Sequence, residues 1–152
     1  MANNFTRFSF RLETTESQRD WIISVHQQTI VPTSPEKVPT DIIHAAVALM
    51  ENDYNPVSIT VTKSPTVSST DTWICAKDSG DIEYTAALVK STLSHFDLPT
   101  IVTFTWASTC DKMRVDEFGG GSIAISKKGY ILDDTTSVAE KLKKALEESL
   151  DD

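Results

Sequence analysis

The sequence predicts an α+β fold: a split βαβ (ferredoxin-like) antiparallel sheet with helices on one face, plus a C-terminal β-hairpin and helix. Three observations predict it. Short stretches of period-two alternation and longer stretches of helical period follow one another in the order β, α, α, β, β, α, β. Prolines or polar turn residues stand at most of the junctions between them. The two halves, Phe8 to Val61 and Trp73 to Trp106, each read strand, helix, proline, strand, without a repeat strong enough to mark duplication. No linker divides the 152 residues, so a single domain, 1–152, is expected, with enough chain to bury its own core.

The first strand is expected at Phe5 to Leu12, where Phe8, Phe10 and Leu12 alternate with Arg7, Ser9 and Arg11. Thr15 with Gln18 forms a capping-box pattern that opens a helix through Thr29, with Ile22 and Val25 inward. Pro32, Pro35 and Pro39 enforce a loop, and Thr40 or Asp41 caps a second helix carrying Ile42, Ala46 and Leu49. Val57 to Val61 and Trp73 to Ala76 read as a hairpin about a polar turn from Pro65 to Asp71. Asp78 or Ser79 then caps the clearest helix, along which Ile82, Ala86, Val89, Leu93 and Phe96 recur. Pro99 ends it before the strand Ile101 to Trp106. A strand at Ile123, a turn at Gly129, a strand from Tyr130 to Leu132 and a helix opened by Thr135 or Thr136 complete the chain. That helix is expected to turn Val138, Leu142, Ala145 and Leu146 inward.

Composition excludes several function classes. No apolar run approaches the roughly 20 residues of a membrane span, and the N-terminus lacks the basic and apolar regions of a signal peptide. Two cysteines, Cys75 and Cys110, are too few for a disulfide scaffold, which suits reduced thiols and a cytoplasmic location. The net charge is −8, but the segment 110–130 holds four basic against three acidic residues, leaving −9 on the rest. That balance disfavours nucleic-acid backbones and anionic membranes; it permits a host protein with a basic surface as partner, and equally suits an acidic exterior that only keeps the protein in solution.

The densest stretch runs from Cys110 to Gly121. It holds the thiol, Lys112, Arg114, Asp111, Asp116, Glu117 and three of the five glycines. With Trp106 it is expected to form a connection of roughly a dozen residues between two neighbouring strands, longer than common hairpin loops. The candidate contact residues are Trp106, Lys112, Arg114, Asp116, Glu117, Phe118, Gly119, Gly120 and Gly121. Lys112 and Arg114 alternate, so an extended backbone sends both to one side, where they and the glycine amides suit a phosphate or carboxylate. The same residues equally suit bracing of the two strands, with Arg114 paired to Asp116 or Glu117 and the glycines forming a bulge. Trp21, Trp73 and Trp106 suit the core, and an exposed Trp106 would suit stacking on a partner. The glycine spacing matches neither the P-loop nor the dinucleotide fingerprint, which argues against an NTPase or a dehydrogenase.

Catalysis and metal binding find less support. A nucleophilic Cys110 would need a base, and His26, His44 and His95 all fall on other elements. No paired His or Cys spacing marks a metal site, and Asp111, Asp116 and Glu117 are interleaved with cations. No cofactor and no metal are therefore expected.

The string Phe96-Asp97, then Phe104 to Cys110, then Lys112-x-Arg114-x-Asp116-Glu117-Phe118-Gly119-Gly120-Gly121 resembles a family of small, mostly uncharacterised bacterial and phage proteins. Their shared run is Trp, two or three small or polar residues, then Cys-x-Lys-x-Arg-x-Asp-x-Phe/Tyr-Gly-Gly-Gly. The likeness covers about a fifth of the chain. Asp111 and Met113 stand where such proteins commonly carry Ser and Pro. The resemblance implies a common loop and a mobile-element origin, with no settled activity. Together these readings point to a non-enzymatic cytosolic binding protein, of phage or mobile-element type, that occludes a host macromolecule in an anti-defence role. The alternatives are a sponge for a phosphorylated or nucleotide-like ligand and a thiol-dependent enzyme using Cys110. A second copy of the chain is a further candidate partner.

Overall fold

A computed structural model describes residues 4–30, 42, 44, 58–65, 69–113 and 118–150. Among them lie six strands and three helices. They are β1 (Asn4–Leu12), α1 (Glu16–Ile30), β2 (Ile59–Lys63), β3 (Thr72–Ala76) and α2 (Ile82–His95). β4 (Val102–Cys110), β5 (Gly119–Ser126), β6 (Gly129–Asp134) and α3 (Thr135–Leu150) follow. The strands form one sheet in the order β2-β3-β1-β4-β5-β6, every neighbouring pair antiparallel. The first four strands thus have the split βαβ arrangement, with β1 between β3 and β4, and the β5–β6 hairpin extends its far edge. The proline-rich loop lies outside the described residues. So does most of the helix expected at 41–50, of which Ile42 is buried and His44 exposed.

Period-two alternation decides the faces. Phe8 and Leu12 of β1, Ile74 of β3, Phe104 of β4 and Ile123 and Ile125 of β5 are buried beneath α1 and α2. Phe10 and Phe104 stack there, with ring centroids 4.3 Å apart. Each such fully buried large side chain stabilises the fold by roughly 1.5–3 kcal/mol. α1 starts as the sequence predicts. The Thr15 N–H donates to Gln18 Oε1 at 2.9 Å and the Gln18 N–H to Thr15 Oγ1 at 3.2 Å, and Ile22 and Val25 are buried. Its His26 is also buried, between the Tyr84 hydroxyl (2.8 Å) and the Ile59 carbonyl (2.9 Å).

The start of α2 corrects the sequence reading. Its N-cap is Asp81, whose carboxylate accepts from the Tyr84 N–H at 2.6 Å, rather than Asp78 or Ser79. Residues 78–80 are taken by β1: the Thr6 N–H donates to the Asp78 carbonyl and the Gly80 N–H to the Thr6 carbonyl. The helix therefore cannot begin until that ladder ends. At its other end, Leu98 N–H to Leu93 O (2.8 Å) and Asp97 N–H to Ser94 O (3.2 Å) form a Schellman motif. Asp97 holds the left-handed position with φ 49°.

On the opposite face of the sheet Ser9 and Arg11 are exposed, Arg7 lies over the Phe5 ring at 4.7 Å, and the half-buried Trp73 indole donates to Ser9 Oγ at 2.7 Å. Trp21 and Trp106 pack against the core, as expected, whereas Trp73 serves this outer face.

α3 is the second correction. It follows β6 without a linking residue, and Asp134, not a threonine, caps it by accepting from the Ser137 N–H at 2.7 Å. None of its residues is buried, so Val138, Leu142, Ala145 and Leu146 do not turn inward. α2 and α3 both touch β5 and β6, yet only α2 buries its apolar face.

Candidate functional site

The sequence-predicted site gathers at the end of the sheet where β1 begins and β4 ends. β4 runs on to Cys110 and β5 starts at Gly119, so the connection between them is 111–118, shorter than the sequence suggests. The glycines are not part of it. Gly119, Gly120 and Gly121 are strand residues in register with Ser108, Ala107 and Trp106, and they form no bulge.

What the glycines do is steric. A Cβ on Gly121 would fall inside 3.0 Å of two ring carbons of Trp106 and 2.6 Å from the Asp133 carbonyl oxygen. A Cβ on Gly120, whose φ is +154°, would strike the Trp106 carbonyl oxygen. The indole therefore lies against bare backbone, which only glycine permits. The glycines thus form a seat for Trp106, a role different from the bulge the sequence suggests, and the suggested Arg114 pairing lies outside the described residues.

Around this seat are two adjoining cavities that share Asn4, Thr6, Trp106 and Ser108. One, of about 410 Å³, is lined also by Phe5, Thr109, Phe118, Gly119, Gly120, Asp134, Thr135 and Thr136. The other, of about 430 Å³, adds Ser79, Gly80, Asp81, Ile82 and Glu83. Their lining is rich in hydroxyls, and among the described residues the charged ones in it, Asp81, Glu83 and Asp134, are acidic. The Tyr130 hydroxyl on β6 registers the field: burial first, then Glu83 and Asp81, push its pKa upward. On β6 and α3, the Lys141 ammonium (2.7 Å) and Ser137 hold the Asp133 carboxyl below its ordinary range.

Of the predicted contact residues, the structure brings Trp106, Phe118, Gly119 and Gly120 to one cavity, with Gly121 in register beneath the indole. Lys112 is exposed on the connection and lines neither cavity. Arg114, Asp116 and Glu117 lie outside the described residues. Met113, 94% exposed, and Phe118, 48% exposed, place large apolar side chains on the connection, and Phe118 also lines the smaller cavity.

Sequence reasoning missed Asn4, Thr6, Ser108, Asp81, Glu83 and Asp134, which come from four separate stretches of chain and share no local signal. It also missed a larger cavity, about 720 Å³, at the other end of the sheet. There Arg11 pairs with Asp71 at 3.3 Å, and Leu93, Leu98, Ile101 and Val102 supply the apolar part.

Cys110 ends β4 opposite Asn4 and is half-exposed. Two histidines are engaged elsewhere, His26 in the core and His95 stacked on Trp21 at 4.3 Å. Burial pushes the Cys75 thiol upward. Among the described residues no three His, Cys, Asp or Glu side chains converge to hold a metal, and no helix is long and apolar enough to cross a membrane.

Fold and site thus define an α+β domain with a six-stranded antiparallel sheet and an acidic, hydroxyl-lined cleft at one sheet end. No family model, curated protein or solved structure matches the chain.

Proposed function

We propose that this chain is a non-enzymatic, cytoplasmic binding protein that occludes a basic surface of a host protein with the Trp106 end of its sheet. The observation that supports it is a connection carrying exposed Met113 and Phe118, the latter in the lining of a cleft whose charged residues, among those described, are acidic. Exposed apolar anchors beside complementary charge are how protein interfaces concentrate affinity and choose partners. A lysine or arginine side chain entering the cleft finds Asp81, Glu83 and Asp134, with threonine and serine hydroxyls to complete its hydrogen bonds. The phage or mobile-element origin and the anti-defence role rest on the resemblance of the Trp106 to Gly121 segment.

The test is affinity capture from a bacterial host lysate with the wild-type chain and with Glu83→Lys/Phe118→Ser. The reading expects a discrete partner that the variant loses, with capture by wild type declining as salt rises. Equal capture by both proteins would remove it. Stabilisation of the wild type by nucleotides or inorganic phosphate, with no protein captured, would favour the phosphorylated-ligand sponge instead.

A further inference from the structure

α3 carries an apolar stripe that no described residue of the chain buries. Val138, Leu142, Leu146 and Leu150 recur at four-residue steps, with Ala139 and Ala145 beside them. Such a stripe on a surface helix normally meets a core. On α3, Leu142 is 62%, Leu146 68% and Leu150 83% exposed.

The charges beside the stripe are ordered. At helical spacing Lys141 and Glu148 fall on one border, and Lys143 and Glu147 on the other. On each border the lysine is nearer the N-terminus and the glutamate nearer the C-terminus. This order distinguishes the two ways a pair of such helices can dock. In a parallel pair each border meets the other border of its partner. Lys141 would then approach Lys143, and Glu148 would approach Glu147, like against like. In an antiparallel pair each border meets its own copy reversed, so every lysine meets a glutamate.

We propose that α3 docks on α3 of a second copy of this chain, as an antiparallel two-fold pair centred on Lys144. In that register Leu142 faces the second copy's Leu146 and Val138 faces its Leu150. Lys141 lies within one residue of the level of the second copy's Glu148, and Lys143 within two of its Glu147. The contact is isologous, so it closes as a dimer and does not propagate. Within one chain Lys141 bonds Asp133 at 2.7 Å and Lys143 lies 3.8 Å from Glu147. An ammonium has three donors, so these local contacts coexist with the intermolecular ones. The stripe is about 18 Å long. That makes a small interface, and the dimer forms in the micromolar range or above. A lipid surface is the less fitting occupant, because the chain carries −8 and anionic headgroups would repel it.

The test is sedimentation velocity on the full chain from about 1 to about 500 μM, a range that brackets weak association. Wild type should pass from monomer to dimer, and Leu142→Glu/Leu146→Glu should stay monomeric. Both leucines are exposed, so an unchanged melting temperature at low concentration will show that the variant's fold is intact. Lys141→Glu/Lys143→Glu should weaken the dimer at least tenfold, and adding Glu147→Lys/Glu148→Lys to the same chain should restore it. Orientation is read by oxidative cross-linking in a Cys75→Ser/Cys110→Ser background. Ala145→Cys, near the two-fold axis, should cross-link to itself, and Val138→Cys should not. A wild type that stays monomeric throughout, or a Val138→Cys chain that cross-links more readily than Ala145→Cys, overturns the proposal. So does a monomeric wild type whose binding to phosphatidylserine vesicles is abolished by Leu142→Glu/Leu146→Glu, since the stripe would then serve a membrane.

Discussion

Gly121→Ala tests the claim that the glycine run exists to seat Trp106. The added methyl would lie inside 3.0 Å of two indole carbons and 2.6 Å from the Asp133 carbonyl oxygen. The indole packs against the core, and the carbonyl belongs to β6, whose next residue, Asp134, pairs with Gly121 itself. Neither neighbour gives way freely. Overpacking of this kind costs typically 1–3 kcal/mol, and a backbone neighbour places it at about 2–3 kcal/mol. Restricting the unfolded chain returns about 0.4–1 kcal/mol, which leaves a net loss of about 1–2.5 kcal/mol. For a domain of this length that is a fall in Tm of roughly 2–10 °C. Thermal unfolding followed by circular dichroism measures it, with the near-ultraviolet signal of Trp106 as a local readout. In a Trp106→Leu background the same substitution should cost about half as much, because only the Asp133 contact persists. A Gly121→Ala chain within about 0.5 kcal/mol of wild type, the range of ordinary surface changes, refutes the seat. An undiminished loss in the Trp106→Leu background refutes the part assigned to the indole.

Three further outcomes follow from the packing. Burial depresses the His26 pKa below its ordinary 6.5, so below that pH the unfolded chain takes up a proton that the folded chain refuses. Stability should be flat in this respect above about pH 6.5 and fall by up to about 1.4 kcal/mol per pH unit below it. Urea unfolding of wild type and His26→Gln between pH 5 and 8 should show that slope only in the wild type. Asp97 occupies a left-handed position that glycine tolerates better, so Asp97→Gly should raise stability by about 0.5–1 kcal/mol, visible as a higher urea midpoint. An unchanged or lower midpoint would mean that the exposed Lys127 contact (2.7 Å) outweighs the backbone term. Thr15→Ala removes the hydroxyl that accepts from the Gln18 backbone N–H and should lower stability by about 1 kcal/mol in thermal unfolding, leaving the residue 15 N–H still donating to the Gln18 side chain.

What could be read from the sequence was what local chemistry decides. Thr15 and Gln18 form their reciprocal bonds because both partners lie within one helical turn. The alternation of Phe8, Phe10 and Leu12 marks the face of β1 on which the helices pack. Readings failed where a distant segment outbid a local preference. Asp78 has the chemistry of a cap, but its carbonyl is paired to Thr6, some seventy residues earlier in the chain. Gly119 to Gly121 have the propensity of a loop, yet β4 holds them as strand because Trp106 needs the space that a Cβ would fill. The cleft was the least legible part. Asn4, Thr6, Asp81, Ser108 and Asp134 meet only because the split βαβ order places β1 between β3 and β4.

The contrast between α2 and α3 shows what periodicity leaves undecided. Both helices carry aliphatic residues at helical spacing, and a sequence reading assigns both stripes to the core. On α2, Ala86, Val89 and Leu93 are buried, and so are Tyr84, Leu88 and Thr92 beside them. On α3 none is. The difference lies in the supply of complementary surface. α2 touches α1 as well as β5 and β6, whereas α3 touches β5 and β6 with its apolar stripe left exposed. A stripe records that a helix has a side that prefers to be dry, not which surface dries it. The borders of α3 carry the missing information. On α2 the flanks hold Glu83, Lys90 and His95, with no lysine-to-glutamate order repeated on both sides. On α3 that order appears on both borders and is self-complementary only when the helix meets its own copy reversed.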